Sequence, residues 1–348
     1  MSDSVNPILV ETTRRDRKGG EITENLHRGA VAVAGPDGEL IFALGDVERR
    51  IFPRSAVKMI QAIPLVSSGA AEAYGLTSEH LALSCASHEG SHEHVRRVSA
   101  WLERLGLGES DLGCGPQDPS DKAEAERLRG TGEKPCRLHH NCSGKHGGFL
   151  TLTRHLKAAP ADYLDPEAPT QRAVGAAFAE ATGQDAVPAY GVDGCAAPNF
   201  TASLAGVARA MAGFAAAGDG DSHDAAQLRL RRAMKAHPFL IAGEGRACTR
   251  LTEALPEEAV VKVGADGVFT AILPGRGVGL ALKIDDGANR AAESALAAIL
   301  TALGATKGAE ALTESLREPP IRNSRSEVVG AIRPAGSFSG SLSGLRRA

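Results

Sequence analysis

Hydrophobic and polar positions follow a strand-like pattern at both ends of the chain and a helical spacing in the middle. Residues 8–13 and 30–33 are rich in β-formers, and Gly35-Pro36-Asp37-Gly38 supplies the turn chemistry for a hairpin whose second arm is 40–44. Pro53 and Ser55 then mark a helix start, with Ser55 close to the N-cap and an apolar run over 56–66 that Pro64 should kink or shorten. From 93 to 107 the apolar positions Val95, Val98, Trp101, Leu102 and Leu105 repeat at the 3.6-residue period of a helix, and 172–181, 201–217 and 225–235 follow the same habit. Strand patterns return at 259–263, 268–273 and 278–284, separated by Ala265-Asp266-Gly267 and Pro274-Gly275-Arg276-Gly277, so this stretch predicts an antiparallel meander. A helix over 289–303 and strands near 321–323 and 328–332 follow.

Strands at both ends with helices inserted between them predict an α/β (α+β) protein. Its antiparallel sheet is built from N- and C-terminal segments and flanked by helices, with a helical lobe beside it. The expected division is 1–69 plus 255–333 for the sheet-and-helix lobe and 70–254 for a mostly helical lobe. Residues 334–348, rich in Gly and Ser, form an expected flexible tail. A site is expected where the lobes meet, because pockets form preferentially at such junctions.

Composition narrows the function classes. Among 348 residues, Lys+Arg 39 against Asp+Glu 42 gives a net charge of −3, so neither nucleic acid nor an anionic membrane is the expected partner. Aromatics are only 4%, which argues against a base-stacking platform, and Gly at 40 residues implies many turns and close backbone approaches. No basic region followed by an apolar stretch opens the chain, and the most apolar segment, 196–218, is interrupted by Pro198, Asn199 and Arg209. Six cysteines scattered through a large chain fit reduced thiols better than a disulfide framework. The expectation is a cytoplasmic protein acting on a small molecule.

Several short motifs could carry that chemistry. Ser55 and Lys58, three apart at a helix start, share one face, and a lysine buried beside a hydroxyl can serve as its base. The spacing alone is weak, since an N-cap serine with an exposed first-turn lysine looks the same. Its context is stronger: serine-x-x-lysine acyl enzymes carry a second serine motif in the helical lobe and a Lys-x-Gly on a strand, and here Ser87-His88 and Lys262-Val263-Gly264 come in that order. His88-Glu89-Gly90-Ser91-His92 spells a zinc-protease motif, but Gly90 and Ser91 argue against the unbroken helix that motif needs. Asn141 to Gly148 contains Gly-Lys but lacks the preceding glycine and following Ser/Thr of a phosphate loop. Cys142 and Cys195 could be a soft metal pair or small buried hydrophobes, and Cys248 carries the same ambiguity.

Arg-Ser-x-x-Lys at 54–58, Ser-Cys-Ala-Ser-His at 84–88, His-Asn-Cys-Ser-Gly-Lys-His at 140–146, Val-Asp-Gly-Cys at 192–195 and Lys-Val-Gly at 262–264 together resemble the asparaginase II family, the rhizobial-type (class 3) L-asparaginases. The resemblance runs from about residue 26 to 332. It implies a serine β-lactamase/glutaminase-like fold, homodimers, and hydrolysis of L-asparagine to aspartate and ammonia. It also implies Ser55 as nucleophile with Lys58 as its base, and Ser87 with Lys262 as a second serine–lysine pair. One zinc per subunit is implied on Cys142, Lys145 and Cys195 with water in the fourth place, and substrate contacts from Arg54, His88, Asp193, His146 and Cys248. The family usually reads Ser-His-x-Gly-Glu after the second serine, and here Ser91 stands where that glutamate is expected. Two other readings share part of the pattern. A serine–lysine acyl hydrolase of penicillin-binding or esterase type would have no use for the cysteines, and a non-catalytic amino-acid-binding protein would keep the site without turnover.

Overall fold

Strands β1 (Ile8–Arg15) and β2 (Glu21–Ala34) form a long antiparallel hairpin, and β3 (Leu40–Leu44) folds back onto the far end of β2 across the Gly35–Gly38 turn. The meander comprises β4 (Val260–Val263), β5 (Val268–Leu273) and β6 (Val278–Ile284), and the chain closes with β7 (Pro320–Arg322) and β8 (Val328–Pro334). These make one eight-stranded antiparallel sheet in the order β7-β8-β1-β2-β6-β5-β4, with β3 also paired to β2. The structure is a computed structural model and describes residues 5–347. Residues 1–4, at the start of the stretch read for an export signal, and Ala348 lie outside the described residues.

The chain divides into two units, each with its own interior. The first, Met1–Ile51 with Ala202–Ala216 and Ala254–Ala348, holds the sheet. Every residue of β4 and β5 is buried, so these strands are covered on both faces. The helix Leu204–Ala216 lies against β6 so closely that a Cβ on Gly279 would stand 2.0 Å from the amide nitrogen of Ala212. This helix also packs on β2 and β5, which is why a segment from the middle of the chain belongs to the sheet unit, whereas the expected division left it in the helical lobe. The helix Asn289–Ala302 contributes the buried Leu296, Ile299 and Leu300.

The second unit, Phe52–Thr201 with Ala217–Glu253, is helical and also takes 52–69, which the expected division assigned to the sheet. The predicted helix after Pro53 is broken into a 3-10 turn Arg54–Val57 and two short helices, Lys58–Gln61 and Ile63–Ser67, the second starting around Pro64. Helix Ser143–His155 is buried over its first eleven residues. Its glycines let it approach its neighbours: a Cβ on Gly144 would stand 2.4 Å from the Leu83 carbonyl, and one on Gly147 would stand 3.0 Å from the Trp101 ring. The Trp101 indole N–H, on helix His92–Arg104, donates to Thr151 Oγ1 at 3.1 Å. The Gly-Lys-His-Gly-Gly run therefore serves close packing, in keeping with its rejection as a phosphate loop. Among the described residues no helix is long and apolar enough to cross a membrane.

The expected flexible tail is corrected by the structure. Gly336–Ser341 is helical, a 3-10 segment Leu342–Arg347 follows, and Phe338, Leu342 and Leu345 are buried. Small residues between widely spaced apolar ones hid this helix from a compositional reading. A chain ending at Pro334 loses three buried side chains, each worth roughly 1.5–3 kcal/mol, and its thermal midpoint should fall by several degrees in calorimetry. An unchanged midpoint would contradict the docking of this segment.

Candidate active site

The helical unit gathers most of the residues singled out in the sequence. Ser55 and Lys58 lie three apart, starting in the 3-10 turn, where such residues eclipse on one side. Arg54, immediately before Ser55, has φ 54°, a left-handed backbone that a non-glycine residue seldom adopts and that clusters at functional turns. Ser55 is half-buried and Lys58 is only 1% exposed.

The Lys58 ammonium donates to the Ala86 carbonyl at 2.5 Å, to Ser87 Oγ at 2.8 Å and to Cys142 Sγ at 3.0 Å. Lysine has three protons to donate, and all three are used here. Ser87 lies just beyond helix Ser78–Ser84, in a loop pinned by its N–H to the Ile241 carbonyl and by the His88 N–H to the Asn141 carbonyl. Lys58 thus meets the second serine directly.

Cys142, Lys145 and Cys195 form the second half of the site. Cys142 precedes helix Ser143–His155, which carries Lys145, and Cys195 sits in the turn after the short strand Tyr190–Val192. Lys145 Nζ donates to Cys195 Sγ at 3.0 Å and lies 5.4 Å from the Phe149 ring centre. The thiols share one charge. The hydrogen bond from Cys195 and the Lys58 and Lys145 ammonium groups hold Cys142 well below the usual thiol range, despite burial. Its charged partner Cys142, with burial, pushes Cys195 up. Burial alone would lower Lys145, but the two sulfurs outweigh it and move it up. Two sulfurs and a nitrogen on three buried side chains are the donor set a thiophilic ion such as zinc requires. Among the described residues no group of three His, Cys, Asp or Glu side chains is arranged for a metal, because the third donor here is a lysine.

Arg54 Nε donates to Asp193 Oδ1 at 2.9 Å, in an ion pair partly open to solvent. Burial pushes Asp193 up, but Lys145 and Arg54 hold it below the usual carboxylate range. Ala196, beside Cys195, repeats the left-handed backbone with φ 67°.

His88, His94 and His146 are held in the interior of the helical unit. His88 is buried: its Nδ1 accepts from the Gly90 N–H at 3.1 Å, so Nε2 carries the proton and donates to Ser143 Oγ at 3.0 Å. Both ring nitrogens of His88 are thus engaged by protein groups. His88 stacks on His94 at 4.5 Å between ring centres, and His94 accepts from Ser91 Oγ–H at 2.6 Å. Ser91, the departure from the family pattern, serves this histidine. His88 lies in a loop and His92 opens a helix, which rules out a zinc-protease helix. His146 and Cys248 are buried as well. Lys262 belongs to the sheet unit, on β4, where it is buried and donates to the Val263 carbonyl at 2.8 Å. Sequence reasoning missed Tyr163 and His94, which lie outside the quoted motifs, and gave no role to Ser143, which stands within the 140–146 motif and meets His88.

A profile of the L-asparaginase II family matches residues 10–334. The chain belongs to this family. No protein of curated function matches its sequence. Among solved structures, Mglu in its native form is 15% identical with a TM-score of 0.41, over 75% of this chain and 60% of Mglu, so the chain spans well under two thirds of that protein. A beta-lactamase from Mycobacterium bovis is 15% identical with a TM-score of 0.35, over 78% of this chain and 94% of that one. Family membership agrees with the motif pattern read above.

Burial lowers His94 to about 4 and places His88 well below the usual histidine range. The unfolded chain therefore binds more protons than the folded one between about pH 6.5 and 4, and stability falls as pH falls through that window. His94→Phe, which can still stack on Phe239, should show a shallower loss in urea midpoint between pH 7 and 5 than the parent. Equal slopes would mean that His94 is not held neutral.

Proposed function

We propose that the protein is an L-asparaginase that hydrolyses the side-chain amide of L-asparagine to L-aspartate and ammonia through a serine–lysine centre with zinc nearby. The observation that carries this reading is Lys58, three residues after Ser55 and 2.8 Å from Ser87 Oγ. Once Lys58 has released to solvent one of the three protons it donates in the resting site, Ser55 Oγ attacks the amide carbon while the neutral Lys58 amine takes its proton. The C–N bond then breaks, and the nitrogen leaves as ammonia after receiving that proton from Lys58 through Ser87. Water hydrolyses the β-aspartyl ester by the same relay in reverse. Lys262 is the proposed second lysine of the relay, on the strength of the family pattern.

Arg54 and Asp193 present opposite charges side by side, which suits the α-carboxylate and α-ammonium of a free amino acid. Cys142, Lys145 and Cys195 would hold zinc, which would supply a Lewis-acidic anchor for the substrate. Lys145 must give up its proton to ligate. With Ser55 as nucleophile, a metal that binds substrate and transition state alike mainly lowers KM. Six free cysteines support the cytoplasmic setting, and the homodimer rests on the family resemblance.

Ammonia release from asparagine tests the reading, with a chromogenic ester and a β-lactam alongside for the acyl-hydrolase alternative. Ser55→Ala and Lys58→Ala should each lower kcat by several orders of magnitude, and the double variant should be little worse than either, since the two act as a unit. Near-parental turnover in Ser55→Ala with loss in Ser87→Ala would move the nucleophile to Ser87. No turnover of any of the three substrates by the parent would favour a binding protein.

The metal is tested separately. The purified parent should contain stoichiometric zinc by elemental analysis, and Cys195→Ser should lose it and raise KM far more than it lowers kcat. A zinc-free parent rejects the metal site. Lost kcat at unchanged KM would place the metal in the chemical step.

A further inference from the structure

The helical unit holds a second line of hydrogen-bonded titratable groups, apart from the serine–lysine centre. Cys136 precedes the 3-10 turn Arg137–His139, and its Sγ stands 3.2 Å from His139 Nδ1. The Cys136 N–H also donates to Nδ1, at 3.1 Å, so that nitrogen offers a lone pair and the ring proton sits on Nε2. From Nε2 the proton is donated to Glu124 Oε1 at 3.1 Å. Glu124 is buried on helix Lys122–Thr131 and is clamped by Arg127, whose Nε donates to Oε2 at 3.0 Å and whose Nη2 donates to Oε1 at 2.9 Å. Arg127 holds Glu124 below the usual carboxylate range against the effect of burial. A thiol facing a ring lone pair, with the ring oriented through its other nitrogen by a carboxylate, is the order of groups that activates a cysteine nucleophile.

Access favours the same thiol. Among the described residues Cys85, Cys114, Cys142, Cys195 and Cys248 are buried, and Cys136 is partly exposed. Burial pushes its thiol up, and the N–H groups of Leu138 and His139 offset this only in part. The resting sulfur therefore keeps its proton and needs a base to react. We propose that Cys136 is a redox-modification site, at which His139 is the base that lets the thiol reduce a hydroperoxide and Glu124 is the positioning residue for His139. Sγ attacks the terminal peroxide oxygen, so an S–O bond forms as the O–O bond breaks. The thiol proton passes through His139 Nδ1 to the departing alkoxide or hydroxide. Cys136 sulfenic acid and an alcohol result, or water where the oxidant is hydrogen peroxide, and the sulfur loses the two electrons that the peroxide gains. Neither zinc nor asparagine enters this step.

Hydrogen peroxide is the probe, with dimedone present to trap the sulfenic acid and peptide mass spectrometry to follow the adduct at Cys136. In the folded parent Cys136 should react faster than the same cysteine in a free peptide of residues 131–138, even though the fold partly covers it. His139→Gln, whose amide oxygen can still accept the Cys136 N–H, should react about 100-fold more slowly, the lower end of what a general base contributes. Glu124→Gln can still accept the ring proton but has no charge, and it should lose most of the parental rate. A purely structural Glu124 would leave that rate unchanged. Parental reactivity in the folded His139→Gln protein, or in Glu124→Gln where His139→Gln does not fold, would overturn the proposal. A parent that reacts no faster than the peptide would overturn it as well. A slow His139→Gln beside an unchanged Glu124→Gln would strike out the positioning role of the carboxylate.

Discussion

The helical unit is organised around a buried ammonium group. Lys58 at 1% exposure has given up its hydration, which costs several kcal/mol unless every proton finds an acceptor. Its acceptors are the Ala86 carbonyl, the Ser87 hydroxyl and the Cys142 sulfur. Two of these follow helix Ser78–Ser84 and the third precedes helix Ser143–His155. Those helices can bring them to one point only because Gly144 has no side chain to strike the Leu83 carbonyl. A packing constraint between two helices thus sets the distance between a base and a hydroxyl.

Opposite charges are concentrated within the same space. The lysines Lys58 and Lys145 share a thiolate on Cys142, and Arg54 is paired with Asp193. Around this charged centre, burial keeps His88, His94 and His146 neutral, so each acts as a fixed donor or acceptor. The left-handed backbones at Arg54 and Ala196 mark where the chain bends sharply to present Ser55 and Cys195. Reactive groups on strained turns backed by neutral hydrogen-bonding rings make an arrangement that resists reorganisation, which electrostatic catalysis favours.

Much of this was legible in the chain. Period-two patterns with turn chemistry located the N-terminal hairpin and the meander, because those strands alternate or run apolar between strong turn residues. Ser55, Lys58, Cys142 and Cys195 were nominated by spacing and type. Three things escaped. The helix Leu204–Ala216 reads as one more member of the helical lobe, and only its packing on β2, β5 and β6 assigns it to the sheet. Phe338, Leu342 and Leu345 are separated by Gly and Ser that suggest disorder, yet tertiary contacts bury them. Tyr163 lies outside every motif, and its part in the site follows from two hydrogen bonds that no linear pattern encodes. Lys145 as a donor beside thiols came from resemblance alone, since a lysine is normally a cation.

The most direct measurement is of the covalent intermediate. The parent protein is acid-quenched during steady turnover of L-asparagine, weighed intact by mass spectrometry, and digested to locate any adduct. The account predicts a β-aspartyl group, at no more than one per chain, on the peptide that contains Ser55. Ammonia release with no adduct, under conditions where ester hydrolysis has been made rate-limiting, would contradict the serine–lysine mechanism, and an adduct on any residue other than Ser55 would contradict its assignment.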